Sequence, residues 1–376
     1  MYYLYLKKIL LIVISSLILF SLINFFVDPE KVYPKLFPIT DPVLKEFAKE
    51  VTSSKYGILD RHSDGTWINN LNERERKKAL ALYSKGFDCA IIGSSRIKQI
   101  SSFRDDRSLT KSCKSIINLG VSGGTLQDYF AYSNMLLENK NAYGTIVFGI
   151  DPWGFKFTSD GRWGMIQSDY EKMMFKLNIT QQHSSPSYML SLALNLINLE
   201  YLLKSLDKIT HEDKTHEEKL KEKESFKYAE KFDQNKGISG TSITLPDGSR
   251  QYSSETINNE KENMKTFDGM HDYKINEVNG AEWFDEQAIN DFTNLVKHLK
   301  LKFNVLFVMA PYHNKVWEQK QPSVEAMNSI ENKIHVLAKQ LNIAVIGSYN
   351  PDKIGCSKDE FFDAMHPHPK CLKKLE

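Results

Sequence analysis

The sequence predicts an α/β protein: a doubly wound parallel sheet of about five strands, with a large insertion and an N-terminal transmembrane helix. Three observations carry this. Short apolar runs recur near residues 89–92, 115–119, 145–150, 305–309 and 343–346. Unbroken runs of that length suit strands buried on both faces. Helical patterns separate most of them, which favours parallel strands joined by crossovers. The third observation is the apolar stretch that precedes all of this.

That stretch, residues 9–27, is 19 residues without a formal charge. At a rise of ~1.5 Å per residue it nearly spans a ~30 Å hydrocarbon core. Lys7 and Lys8 precede it and Asp28-Pro29-Glu30 follow. The positive-inside rule then puts the N-terminus in the cytoplasm and the rest of the chain outside, periplasmic or extracellular. A cleaved signal peptide is the alternative; no A-x-A-like site follows the run, which favours an uncleaved, single-pass anchor.

The chain reads in order as five parts. Residues 1–28 are the cytoplasmic tip and anchor. Residues 29–72 form an irregular stalk and entry segment to the domain, with prolines at 29, 34, 38 and 42. Residues 73–153 form the first half of the sheet domain: a helix over 73–83, strands one to three, and a helix over 126–138. Residues 154–282 break the alternation. This insertion holds an apolar helix-like stretch (188–203), a charged run (211–231) and a hairpin tip at Leu245-Pro246-Asp247-Gly248-Ser249-Arg250. Residues 283–376 resume it, with helices over 287–301 and 323–341 and strands four and five.

The chain has 376 residues, 41% hydrophobic and 26% charged, enough for one large domain with an insertion or for two domains. A formal net charge of +2 gives nucleic acid no electrostatic footprint to bind. Cys89, Cys113, Cys356 and Cys371 allow three pairings. Cys89–Cys113 would link neighbouring strands, and Cys356–Cys371 would close the loop carrying Asp363 and His366. Free buried thiols are the alternative.

Three loops follow the first three strands: Gly93-Ser94-Ser95, Gly123-Gly124 and Asp151-Pro152. In a parallel sheet with right-handed crossovers, these loops share one edge, where open α/β folds bind ligands. Asp363-Ala364-Met365-His366-Pro367 comes after the last strand and has the means to return there. Pro367 disfavours helical geometry at His366, so Asp363 and His366 share a turn. A serine hydroxyl needs a base, and the base an orienting carboxylate. Ser95, His366 and Asp363 supply that set.

Together these pieces resemble the SGNH (GDSL-like) hydrolase superfamily. The matching blocks are Gly93-Ser94-Ser95-Arg96, Asn118-Leu119-Gly120-Val121-Ser122-Gly123-Gly124-Thr125, Gly149-Ile150-Asp151 and Asp363-Ala364-Met365-His366-Pro367. They stand in the family's order and cover residues 87–367 apart from the insertion. The resemblance implies Ser95 as nucleophile, His366 as base and Asp363 as its partner. It also implies the N–H groups of Ser95 and Gly123 as oxyanion donors. Two positions depart from the family pattern. Ser94 stands where Asp is frequent, and Asp151 stands where the family supplies an asparagine to the oxyanion hole. A carboxylate cannot donate a hydrogen bond to an oxyanion. Asp151 therefore either points elsewhere, as toward Arg96, or the hole uses backbone donors alone.

A membrane anchor followed by an exported SGNH-like domain resembles the accessory acyltransferases of cell-envelope polysaccharides. That implies transfer of an acyl group, with acetyl the first expectation, to a polysaccharide through acyl-Ser95. It also implies a multi-spanning membrane O-acyltransferase as partner. An esterase acting on glycan or lipid, and a non-catalytic binding or scaffold protein, are the alternatives. Arg96, Trp153 and His313 are candidate substrate contacts. No thiol or carboxylate cluster completes a metal site with Asp363, His366 and His368, and no cofactor is expected.

Overall fold

The computed structural model describes residues 2–27, 41–60, 71–139, 144–155, 161–179, 194, 196–210, 226–231, 237–266, 285–318 and 322–375. The apolar N-terminus is one helix, α1 (Tyr2–Val27). Its segment Tyr5–Val27 is long and apolar enough to cross a membrane. Helix α2 (Asp41–Ser53) and strand β1 (Ile58–Leu59) follow. The stalk and entry segment expected over 29–72 is thus regular rather than irregular across most of its described part. Pro42 sits in the first turn of α2, where a missing N–H costs nothing. Leu44, Phe47, Ala48 and Val51 then recur at helical spacing and are buried.

The first half continues with α3 (Glu73–Tyr83), β2 (Cys89–Ile92), β3 (Ile116–Asn118), α4 (Leu126–Glu138) and β4 (Thr145–Gly149). Helix α3 starts at a capping box: Glu75 N–H donates to Asn72 Oδ1 (3.0 Å), and Asn72 N–H to Glu75 Oε2 (2.7 Å). Then come α5 (Gln167–Lys176), α6 (Leu199–Thr210), the hairpin strands β5 (Ile243–Thr244) and β6 (Arg250–Gln251), and α7 (Ser254–Thr266). The described part of the expected apolar helix lies later than its predicted span, in α6; residues 188–193 and most of the charged run over 211–231 lie outside the described residues. The last part holds α8 (Glu286–Leu299), β7 (Asn304–Met309), α9 (Asn314–Glu318), α10 (Pro322–Leu341), β8 (Ala344–Gly347) and α11 (Pro369–Leu372).

The main sheet has the order β3-β2-β4-β7-β8, with every pair parallel. Alternate residues of its strands face two cores. Ala90, Ile92, Ile146, Phe148, Phe307 and Met309 join α4, α8 and α10 on one side. Ile91, Val147, Leu306 and Val308 join Ile97 and Leu372 on the other. Burial on both faces is why these strands read as continuous apolar runs. The chain runs outward from β2 to β3, then crosses back to β4 on the other side. The crevice at that reversal, between the carboxyl ends of β2 and β4, is where such sheets bind ligands.

A second sheet was not expected from the sequence. Its order is β1-β5-β6, so the hairpin predicted at 245–250 gains a third strand from residues 58–59. Asp247 at the hairpin tip accepts from the N–H groups of Ser102 (2.9 Å) and Phe103 (3.1 Å), which docks the tip beside the β2 loop.

Candidate active site

Strand β2 ends in Gly93, and Ser94 caps a single 3-10 turn, Ser95–Ile97. That turn lifts Ser95 to the sheet edge and sends Ile97 inward, against Gly93 and Gly149. Strand β8 lies three strand spacings from β2, about 14 Å in a sheet. The segment after it must therefore travel back across the carboxyl ends of β7 and β4.

Hydrogen bonds fasten that return path strand by strand. Tyr349 accepts from Tyr312 N–H (3.0 Å), and its hydroxyl donates to the Ile150 carbonyl (3.1 Å). His313 N–H donates to the Ala364 carbonyl (3.0 Å). Arg96 Nε donates to the Met365 carbonyl (3.1 Å). Residues from β4, β7 and β2 thus each hold a point on the segment.

The result is a continuous chain of three side chains. His366 Nε2 is 2.8 Å from Ser95 Oγ, and His366 Nδ1 is 2.7 Å from Asp363 Oδ2. The carboxylate can only accept, so Nδ1 carries the proton and Nε2 is free to accept from the serine hydroxyl. Asp363 Oδ1 also accepts from the N–H groups of Met365 (2.7 Å) and His366 (2.8 Å). Burial pushes the Asp363 carboxyl up, but His366 and these donors outweigh it and hold the group below the usual carboxylate value. Ser95 and His366 stay partly exposed.

Gly123 adopts φ +60°, a backbone region favourable to glycine, and is exposed. Next to it, a Cβ on Gly124 would lie 2.6 Å from the Gly93 carbonyl oxygen, so the second loop packs closely on the first. Among the described residues, neither the Ser95 nor the Gly123 N–H has an acceptor.

Three sequence candidates are engaged inward instead. Arg96 is 1% exposed. Besides Met365 it donates to Asp151 Oδ1 (2.9 Å) and to the Ala310 carbonyl, and its guanidinium lies 3.7 Å from the Tyr312 ring centre. Arg96 is therefore a brace rather than a substrate contact. Asp151 is the partner of that brace, and an ionised carboxylate supplies no donor to an oxyanion. Burial raises its pKa, opposed by Arg96. His313 is 2% exposed; its Nδ1 accepts from Lys315 N–H (3.0 Å) and its Nε2 donates to the Lys358 carbonyl (3.1 Å). Burial holds its pKa below the usual histidine value, so it is a neutral strut. It lines a cleft of about 700 Å³ with Lys358, Phe361 and His368, which Ser95 and His366 do not line. Trp153 is half-buried and packs edge-on to Tyr312.

Sequence reasoning missed the support behind the second loop. Ser122 N–H donates to Glu73 Oε2 (2.7 Å), and its hydroxyl accepts from Lys98 Nζ (2.6 Å). Glu73 and Lys98 are themselves an ion pair. Desolvation raises the Glu73 carboxyl, but Lys98 and Arg250 prevail and keep it ionised. Glu260 of α7 is a second omission. Burial and the Asp363 charge raise its pKa. No motif marks either group, because both come from segments distant in sequence. The cysteines pair as Cys89–Cys113 and Cys356–Cys371, and the second pair closes the loop that bears Asp363 and His366.

No protein-family model matches the chain, and no curated protein matches it.

Proposed function

We propose that this chain is an SGNH-like serine enzyme, anchored in the membrane by α1, that transfers an acyl group to a cell-envelope polysaccharide. The observation that carries the reading is the hydrogen-bonded chain from Ser95 through His366 to Asp363. The order of the four sequence blocks supports the family. The charge asymmetry around residues 9–27 supports export, and paired cysteines fit an oxidising compartment.

The chemistry runs in two balanced halves. Ser95 Oγ attacks the donor's acyl carbonyl as its proton passes to His366 Nε2. The N–H groups of Ser95 and Gly123 stabilise the oxyanion. Collapse breaks the bond to the leaving group, which takes the proton from His366, and leaves acyl-Ser95. A sugar hydroxyl then loses its proton to His366 and attacks the ester; the acyl–Oγ bond breaks, and His366 returns that proton to Ser95 Oγ. Asp363 keeps the imidazole in the tautomer that accepts, and stabilises the imidazolium. A multi-spanning membrane O-acyltransferase is the proposed source of the acyl group.

Hydrolysis shares the first half, with water replacing the sugar. The test is to treat the full-length protein with a fluorophosphonate and with an activated acetyl ester. A probe adduct and an acetyl group on Ser95 are expected, with acetyl passing to added polysaccharide. No modification of Ser95 overturns the enzyme reading and leaves a binding or scaffold role; release of acetate with no transfer to any acceptor tried identifies an esterase.

A further inference from the structure

Helix α6 has three distinct faces. Successive residues turn by ~100°, so Tyr201, Leu202 and Ser205 share one side. Leu199, Leu203 and Leu206 form a second, and Glu200 and Lys204 a third. The first side is buried: Tyr201 is 4% exposed, Leu202 5% and Ser205 0%. It packs on α1. Ser205 Oγ donates to Asn24 Oδ1 (3.1 Å), and Asn24 Nδ2 donates to the Leu196 carbonyl (2.9 Å). Asn24 is a polar residue inside an apolar helix, wholly buried, and its amide is satisfied by α6 together with the residues just ahead of it.

The second side is open. Leu199 is 65% exposed and Leu203 58%; Leu206 and, ahead of the helix, Leu194 and Ile197 are exposed too. Leu196 meanwhile closes one wall of an apolar groove along α1, with Ile14, Leu17, Ile18 and Phe25. A contiguous stripe of large apolar side chains in water is unfavourable and marks a contact surface. The occupant follows from where the stripe sits. Asn24 is three residues from the end of α1, opposite the end bearing Lys7 and Lys8. If α1 spans the bilayer, an element pinned to Asn24 lies at the boundary where the chain emerges.

We infer that α6 lies along the membrane surface, with its leucine stripe among the acyl chains and Glu200 and Lys204 in water. A helix with one apolar and one charged side binds at that depth. The inference rests on the anchoring role of α1. Since α6 belongs to the segment between β4 and β7, the domain is held to the bilayer at two points, and its tilt is restricted. An acyl group carried by a membrane-bound donor then meets Ser95 from a constrained direction.

The test places a nitroxide at Leu17→Cys, Glu200→Cys, Leu203→Cys, Lys204→Cys and Leu206→Cys, one at a time. The four native cysteines are paired, so only the introduced thiol is labelled. The full chain is reconstituted in phosphatidylethanolamine–phosphatidylglycerol vesicles, and accessibility to oxygen and to an aqueous nickel chelate is measured. Folding is checked by the thermal melt. Oxygen accessibility several-fold above that of nickel is expected at Leu203 and Leu206, with the order reversed at Glu200 and Lys204. Leu203 and Leu206 as open to nickel as Lys204, while Leu17 is shielded, overturn the inference and spare the anchor. Leu17 open to nickel overturns the anchor as well. Leu203 shielded from both reagents means a protein contact, and also overturns it.

Discussion

Arg96 and Met365, the sequence neighbours of Ser95 and His366, are joined by a hydrogen bond of 3.1 Å from Arg96 Nε to the Met365 carbonyl. The Ser95 turn and the His366 loop are therefore tied one residue away from the Ser95–His366 contact. The same guanidinium reaches Asp151 after β4 and Ala310 after β7. One side chain sets the position of the return loop against three strands.

Arg96→Ala is expected to cost about 3 kcal/mol, because it leaves the buried Asp151 carboxyl without its ion-pair partner. Arg96→Lys keeps a charge but not the three-way fork. A displacement near 1 Å is expected to lower kcat by roughly 10²-fold while leaving KM nearly unchanged. Urea unfolding and steady-state kinetics on a chromogenic acyl ester check both. An Arg96→Lys variant with full kcat would show that the three-way fork does not position the return loop.

Ser95→Ala is expected to abolish fluorophosphonate labelling with less than about 1 kcal/mol change in stability, since Ser95 is only partly buried. Asp363→Asn is expected to lower kcat by roughly 10⁴-fold, because an amide can hold Nδ1 in the wrong tautomer. Matched melts separate these losses from misfolding.

The Cys356–Cys371 bridge spans a sequence separation of 15. Closing such a loop stabilises by about 3 kcal/mol in the chain-entropy picture. The Cys356→Ser, Cys371→Ser double variant is expected to lose about that much and, near its melting point, to lose activity first. Denaturant midpoints and residual esterase activity report the two effects.

Lys77 predicts a slope of stability against pH. It is buried, donates to the Asn118 carbonyl (2.9 Å) and to the Gly248 carbonyl, and burial pushes its pKa from 10.5 down to about 7. Between those two values the unfolded chain binds a proton that the folded chain lacks. Stability contributed by this group therefore rises with pH from about 7 to 10.5. Lys77→Met is expected to flatten that part of the curve, read from urea midpoints between neutral and alkaline pH. An unchanged slope would show that Lys77 stays charged when folded.

The strands around the site were legible because burial on both faces leaves an apolar run with nothing to confuse it, as in Cys89–Ile92 and Thr145–Gly149. Helix α4 was legible to the residue because Thr125 and Asp128 cap it locally. Helix α2 was misread because four prolines near it outweighed the spacing of Leu44, Phe47, Ala48 and Val51. Strand β1 has only two residues and exists through its partner β5, far along the chain. No local pattern encodes such a pairing.

Residue order alone settled the five strands of the parallel sheet and which serine, histidine and aspartate are fit for one another, since each depends on local pattern or on side-chain chemistry. Tertiary structure decided that Arg96 faces inward, that Asp151 answers it, and that Glu73 and Lys98 support Ser122. The direction in which a charged side chain points is set by the partner that relieves its desolvation, and here every such partner arrives from a distant part of the chain.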